Sequence, residues 1–350
     1  MMKERILPIF CVLLCLTACS SDKDSPVEMV FTNDVLLPHT PVRSQGRTQT
    51  CWAYTMASLL ESDCLSLNGD TVRLSVMYVV RQKYLNQFKQ YYYSKGKDEI
   101  RNGGLGHSFL QAWEYDGLLP YDVYKGIREG AKFHDHRDLM KGLKSLAKKA
   151  VEDKDLSFYQ IKAEALLDEC LGKIPEKFLY RGQEYTPRTF AASLGMDVDC
   201  YMELTSFTHH PFYTDFVLEV PDNWEHSPFY NVPLDSLEAY VRNALQNGRT
   251  VAWDGDTSEE GFKPRSGVAL YPHKTVTQEI RQRGFERFET TDDHMMHIIG
   301  TAHDENNNFY YILKNSWGKV GPYRGLIYMS QDYFRAKTVS VVIPSIFVSD

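Results

Sequence analysis

The chain has 350 residues, 43% of them hydrophobic, with 39 basic against 46 acidic side chains and a formal charge of -7. That is enough apolar material for a full core in one large domain or two modest ones. No basic block is present that would neutralise a run of phosphates, which excludes nucleic acid as a partner.

At the N-terminus, Lys3 and Arg5 precede an apolar run from Ile6 to Ala18, long enough for a signal-peptide core and too short to span a bilayer. Residues 1–18 therefore read as an export signal. Leu16-Thr17-Ala18-Cys19 resembles the lipobox of bacterial lipoproteins, which implies cleavage before Cys19 and acylation of that cysteine; the alternative is an ordinary secretory signal that happens to contain cysteines. On the lipoprotein reading, the protein is exported and held to a bacterial membrane, on its periplasmic or cell-surface face. Residues 19–34 form the tether, where Ser20 to Pro26 are too polar to order themselves. Cys11 and Cys15 leave with the signal, so Cys51, Cys64, Cys170 and Cys200 remain as thiols. Their spacing gives neither a disulfide framework nor a paired metal site.

Residues 35–350 make up the folded domain. Leu36 to Thr50, with Pro38, Pro41 and Gly46, is irregular. From Cys51, apolar residues recur at helical spacing until Asn68-Gly69 stops them, which puts Cys51 at the start of a buried helix. A second helix is expected from Ser75 to about Tyr93. A third follows the glycine cluster Gly103-Gly104-Leu105-Gly106 and runs to Tyr115. Residues from about 125 to 230 read as a helical insertion, with one or two amphipathic helices between Asp138 and Cys170. Asp235-Ser236-Leu237-Glu238 has the form of a capping box, and Thr250 to Trp253 that of a strand. His294 to Ala302 and Phe309 to Lys314 flank Asp304-Glu305-Asn306-Asn307-Asn308 as a hairpin, and Thr338 to Ile343 is a final strand. Helices first and an antiparallel sheet or barrel afterwards give an α+β fold with a cleft where the halves meet. Nothing in the sequence supports oligomerisation.

Cys51 is placed to be nucleophilic, because a helix N-terminus and a nearby imidazolium both lower a thiol's pKa. Gln45, six residues upstream, can turn its amide back toward the thiol and form an oxyanion hole with the Cys51 backbone N–H. In the hairpin, the start of one strand lies beside the end of the other, which sets His294 next to Asn315. The asparagine then takes one imidazole nitrogen, the other faces the thiol, and Trp317 shields the bond from water. Each of these residues taken alone has an ordinary structural explanation.

Taken together, Gln45 through Trp52, Asp293-His294 and Lys314-Asn315-Ser316-Trp317-Gly318 resemble the nucleophile, histidine and asparagine motifs of papain-like (C1) cysteine peptidases. Asn102-Gly103-Gly104 is similar to that family's Asn-Gly-Gly stretch, whose backbone pairs with substrate. Leu74-Ser75-Val76-Met77-Tyr78, the insertion running past Tyr185 to Phe190 and on to Ala252-Trp253-Asp254-Gly255, and the lack of cysteine at position 48 resemble the bleomycin hydrolase and aminopeptidase C branch. The resemblance implies a papain-like fold and peptide-bond hydrolysis through a thiol acyl-enzyme, with peptides as substrates and without metal or organic cofactor. The alternatives are a catalytically silent binding protein or an acyltransferase of the same fold. Two departures stand beside the cleft: Gln49 replaces a glycine, and Met295 follows the histidine where a small residue is usual. A third is the tail. In bleomycin hydrolases a C-terminal arm blocks the cleft, whereas Pro344 to Asp350 reach no more than about 25 Å even when extended. The expectation is therefore a cleft open on that side, able to take peptides with a blocked N-terminus.

Overall fold

The computed structural model describes residues 29–272 and 275–348; the expected signal segment and lipobox, with Cys19, lie outside them. The first elements are β1 (Phe31–Leu36), α1 (Cys51–Asn68), α2 (Val76–Tyr93) and α3 (Gly106–Asp116). Helices α4 (Arg137–Asp153) and α5 (Leu156–Leu171) follow, then β2 (Phe178–Tyr180), β3 (Gln183–Tyr185) and α6 (Pro187–Ser193). Next come β4 (Tyr201–Thr205), β5 (Thr214–Val217), β6 (Pro228–Asn231), α7 (Leu234–Gln246) and β7 (Val251–Gly255). Short strands β8 (Phe262–Lys263) and β9 (Val268–Ala269) lead to α8 (Gln278–Glu286). The chain closes through β10 (His294–Asp304), β11 (Phe309–Lys314), β12 (Leu326–Ser330), α9 (Gln331–Lys337) and β13 (Thr338–Pro344).

Every residue of α1 from Trp52 to Cys64 is buried, so this helix is surrounded by protein on all sides. It stops at Gly69, whose φ of 65° is left-handed and whose N–H returns to Leu65 O at 3.1 Å. Ser75 caps α2 by accepting the Tyr78 N–H at 3.3 Å. In α4 the buried Leu139, Met140, Leu143, Ala147 and Ala150 form the single apolar stripe of a surface helix.

The main sheet runs β5-β6-β4-β13-β7-β10-β11-β12-β9-β8, and β1 adds to β10. Only the β4–β6 and β9–β12 pairs are parallel. The fold is thus α+β, as expected, with α1 packed against β7 and β10. Long β10 pairs with β7 over His294 to Ile298 and with β1 over Gly300 to Asp304. Gly300 sits where any Cβ would strike the Val35 carbonyl of β1, so the close approach of the two strands requires glycine.

Two sequence expectations are corrected. Of the insertion at 125–230, only the first part is helical; Tyr201 onward forms β4, which pairs with β13, and β6 extends the sheet beyond it. The expected capping box is also absent, since α7 starts after Pro233 with no side-chain cap. Glu238 turns inward instead, accepting from Arg242 Nη2, Arg335 Nη1 and Gln331 Nε2, each at 2.7 Å.

The irregular stretch before α1 is held from below by a buried carboxylate. Glu61 accepts from Arg43 Nη2 at 2.7 Å, from the Leu74 N–H at 2.8 Å and from the Thr40 hydroxyl, while Lys314 Nζ donates to Thr40 O at 2.7 Å. These bonds tie the loop carrying Gln45 to both α1 and β11, which sets the amide beside the helix end.

Candidate active site

Cys51 is the first residue of α1 and opens into a cleft of about 650 Å³ shared with Gln45, Gln49, Gly103, His294 and Trp317. Thr50 precedes it and makes no side-chain cap, while its carbonyl accepts the Ala53 N–H at 3.1 Å, so no side chain competes for the N–H groups at the helix end. The thiol accepts the backbone N–H of Met295, which ties it to the residue directly after His294. His294 Nε2 lies 2.9 Å from Asn315 Oδ1, leaving Nδ1 as the nitrogen available to the thiol. Trp317 stacks on the imidazole with ring centroids 4.5 Å apart. Asn315 Oδ1 also accepts the Ser316 N–H at 2.6 Å, which fixes the amide that orients the histidine.

Gln45 is oriented from behind. Its N–H donates to Ser316 O at 2.8 Å, and Ser316 Oγ donates to its Oε1 at 2.7 Å, so its Nε2 is the donor left for the cleft. Thr48, buried, donates to Gln45 O at 2.8 Å and pairs with the Thr50 hydroxyl at 2.6 Å, locking the turn that returns to Cys51. Gln49 explains why glycine is usual there: its φ is +54°, a left-handed conformation that costs a side-chain-bearing residue about 1 kcal/mol.

The other expected residues divide. Gly103 lines the cleft, whereas Gly104 is buried behind it against Trp52, Lys83 and Ser108. Met295 is 2% exposed and packs in the core, so its side chain does not narrow the cleft. His297 is fully buried, with Nδ1 2.7 Å from Ser58 Oγ on α1, and takes no part in the cleft.

The electrostatics differ from the expectation of a partly ionised thiol. Burial pushes the Cys51 thiol up to about 12, opposed by the Met295 N–H and reinforced by Asp254, Asp222 and Asp292. Burial likewise lowers His294 to about 4, against the pull of Asn315. Both shifts favour the uncharged thiol and imidazole.

Several residues around the site carried no sequence motif of their own. Lys83, buried in α2, donates to Arg101 O at 2.9 Å and to Gly103 O, pinning the Asn-Gly-Gly backbone. Asp222 belongs to the segment 218–226 after β5. Its carboxylate lies against Gly103, where a methyl group would collide with it, and accepts the Gly104 N–H. Asp222 donates its own N–H to Asp292 on the opposite wall. Asn223 knits the segment by donating to Leu218 O at 3.1 Å and Ser227 O at 3.0 Å. Glu225 pins it to α3 through Ser108 Oγ at 2.6 Å and His107 Nε2 at 3.1 Å. Burial alone would lower His107, but Glu203 and Glu225 outweigh it and push it up to about 10, so this anchor keeps its charge through neutral pH.

A sequence model described as the Peptidase C1-like family matches residues 170–350. Among solved structures, PepW from Lactobacillus rhamnosis HN001 is 19% identical, covers 92% of this chain and 84% of its own, and superposes with a TM-score of 0.74. The proform of the Amb a 11 cysteine protease, a major ragweed pollen allergen, is 15% identical over 87% of this chain and 61% of its own, with a TM-score of 0.42. No curated protein sequence matches.

Proposed function

We propose, for a chain that belongs to the Peptidase C1-like family and is a cysteine peptidase, that Cys51 is the nucleophile, His294 the general base and Asn315 the residue orienting it. The observation that carries the reading is the His294–Asn315 hydrogen bond of 2.9 Å at the rim of the cleft that holds Cys51. As a peptide carbonyl settles in the cleft, Nδ1 of His294 takes the thiol proton while sulfur attacks the carbonyl carbon. The resulting oxyanion is received by the Cys51 N–H and Gln45 Nε2, worth about 3 kcal/mol per donor. The imidazolium then protonates the leaving nitrogen, the C–N bond breaks and a thioester remains. Water, deprotonated by His294, attacks the thioester and releases the acid and the free thiol. The motif content of residues 45–318 favours the bleomycin hydrolase and aminopeptidase C branch, with peptides as the substrate class. Incubating the purified protein with a mixed peptide library is expected to yield free acids and new amino termini, and iodoacetamide should abolish both. Products joined to an added amine, without free acid, would overturn hydrolysis in favour of acyl transfer.

We also propose that Cys19 carries the lipid anchor, with the peptidase domain outside the cytoplasm. Lys3, Arg5, the apolar run from Ile6 to Ala18 and Leu16-Thr17-Ala18-Cys19 support it. Among the described residues no helix is long and apolar enough to cross a membrane. Cys19→Ser is expected to shift the protein out of the detergent phase or leave its precursor uncut. Unchanged partitioning would overturn the anchor.

A further inference from the structure

We propose that Asp222 is a specificity-determining residue that receives the free α-ammonium group of the substrate, and that segment 218–226 confines the enzyme to removing residues from peptide N-termini. The inference rests on the peptidase reading of the cleft. His294 must reach the leaving nitrogen, so the His294–Trp317 wall borders the leaving side, and the acyl side extends toward Gly103 and Gly104. An upstream residue of a bound peptide would pair with that glycine backbone. The Gly104 N–H, however, is already taken by the Asp222 carboxylate. From Gly103 on one wall, Asp222 reaches Asp292 on the other through its own N–H, so the segment crosses the groove. A second hollow of about 570 Å³ has Val220, Pro221 and Asp292 of this crossing in its lining, and Cys51 is not part of it.

What faces the acyl side is therefore a carboxylate with two more behind it. Asp254 is fully buried beside Met295 and shares a carboxyl–carboxyl hydrogen bond with Asp292, so the two hold a proton between them. Burial and Asp222 push Asp292 up to about 7 against the pull of its hydrogen bond with Asp254, while burial, Asp292 and Asp222 raise Asp254 well above the usual carboxylate range. The charges facing Asp222 are Lys83 and Arg101, which favour its ionisation, and Glu225, which opposes it. An ammonium group docked in the cleft would meet the Asp222 carboxylate, which lines it, with the Asp254–Asp292 pair behind. Burial is what chiefly holds the Cys51 thiol up, and an ammonium group in place would offset the acidic groups that add to it, which aids formation of the nucleophile. Among the described residues, the C-terminal segment runs away from the crossing. β13 starts beside Gly255, level with His294, and ends beside Tyr201, and Ser345 to Phe347 pack near α7.

The test uses one peptide sequence with a free or an acetylated N-terminus, and a third peptide that is acetylated with arginine as its second residue. The wild-type enzyme is expected to remove single residues from the free peptide and to cut either acetylated peptide at least about 100-fold more slowly. Asp222→Asn, which keeps the shape and the Tm, should raise KM for the free peptide about 10- to 100-fold with a smaller change in kcat, because a charge-assisted bond becomes a neutral one. Internal cutting of the acetylated peptide at a comparable rate would overturn the proposal while leaving the peptidase standing. Cutting of the arginine peptide alone would overturn it in favour of a pocket for basic side chains. An unchanged KM in Asp222→Asn would overturn the role of the carboxylate, and failure to cut any peptide would overturn the peptidase reading beneath it.

Discussion

Cys51→Ala is expected to lower kcat/KM on peptides by about 10⁵-fold or more while leaving the melting temperature near that of the parent, since removal of a covalent nucleophile forfeits the acyl-enzyme route altogether. The other thiols offer no substitute. Cys64 is 1% exposed within the core and burial pushes it up to about 12, Cys170 is raised by burial as well, and Cys200 lies on the surface after α6. Folding has little stake in the substitution. Cys51 stands at the first turn of α1, its thiol accepts the Met295 N–H, and the helix is anchored by Trp52 through Cys64. Peptide turnover, a thermal melt and mass mapping of iodoacetamide adducts check the three parts together. Turnover retained in the folded alanine variant would remove Cys51 from the mechanism.

The parts of this molecule that could be read from sequence are those whose cause is local. Cys51 to Asn68 is apolar at helical spacing and ends in Asn-Gly, and the helix has those limits. Asp304 to Asn308 is turn-forming chemistry, and Asp304 Oδ1 accepts the Asn306 and Asn308 N–H groups at 2.9 Å to close the hairpin that brings His294 to Asn315. What escaped has a distant cause. Glu238 fits a capping box by spacing, but Arg335 and Gln331, nearly a hundred residues on, draw it inward. Phe31 to Leu36 is short and mostly exposed, so it carries no alternation to mark it as a strand; it is held as β1 by its pairing with β10. Asp222 lies in a segment with no motif. Its place against Gly103 follows from anchors at His107, Ser108 and Asp292, each remote in sequence. Met295 was read as a cleft residue from its position beside the histidine, yet alternation along β10 turns it into the core.

The same alternation separates the two histidines of β10, and they are expected to fail in opposite ways. His294→Ala should abolish peptide turnover with the fold unchanged, because its imidazole faces the cleft and bonds only Asn315. His297→Ala should keep kcat/KM per folded molecule within a few-fold but lower stability by about 2 to 4 kcal/mol, through a cavity against α1 and an orphaned Ser58 hydroxyl. The pH dependences follow from the shifts. With His294 lowered to about 4, the base form persists well below the usual histidine range, so the acid limb of kcat/KM should fall near pH 4. His297 is held neutral chiefly by burial, with Lys314 and His39 adding to it. A histidine whose folded pKa lies below its unfolded value of 6.5 binds fewer protons in the native state, so stability is full above pH 6.5 and is lost as pH falls toward the folded value. The wild-type melting temperature should therefore drop on acidification below 6.5, and His297→Ala should flatten that slope. If instead His294→Ala turns peptides over and His297→Ala is inert though folded, the base lies on the other face of β10 and the assignment of the cleft is wrong.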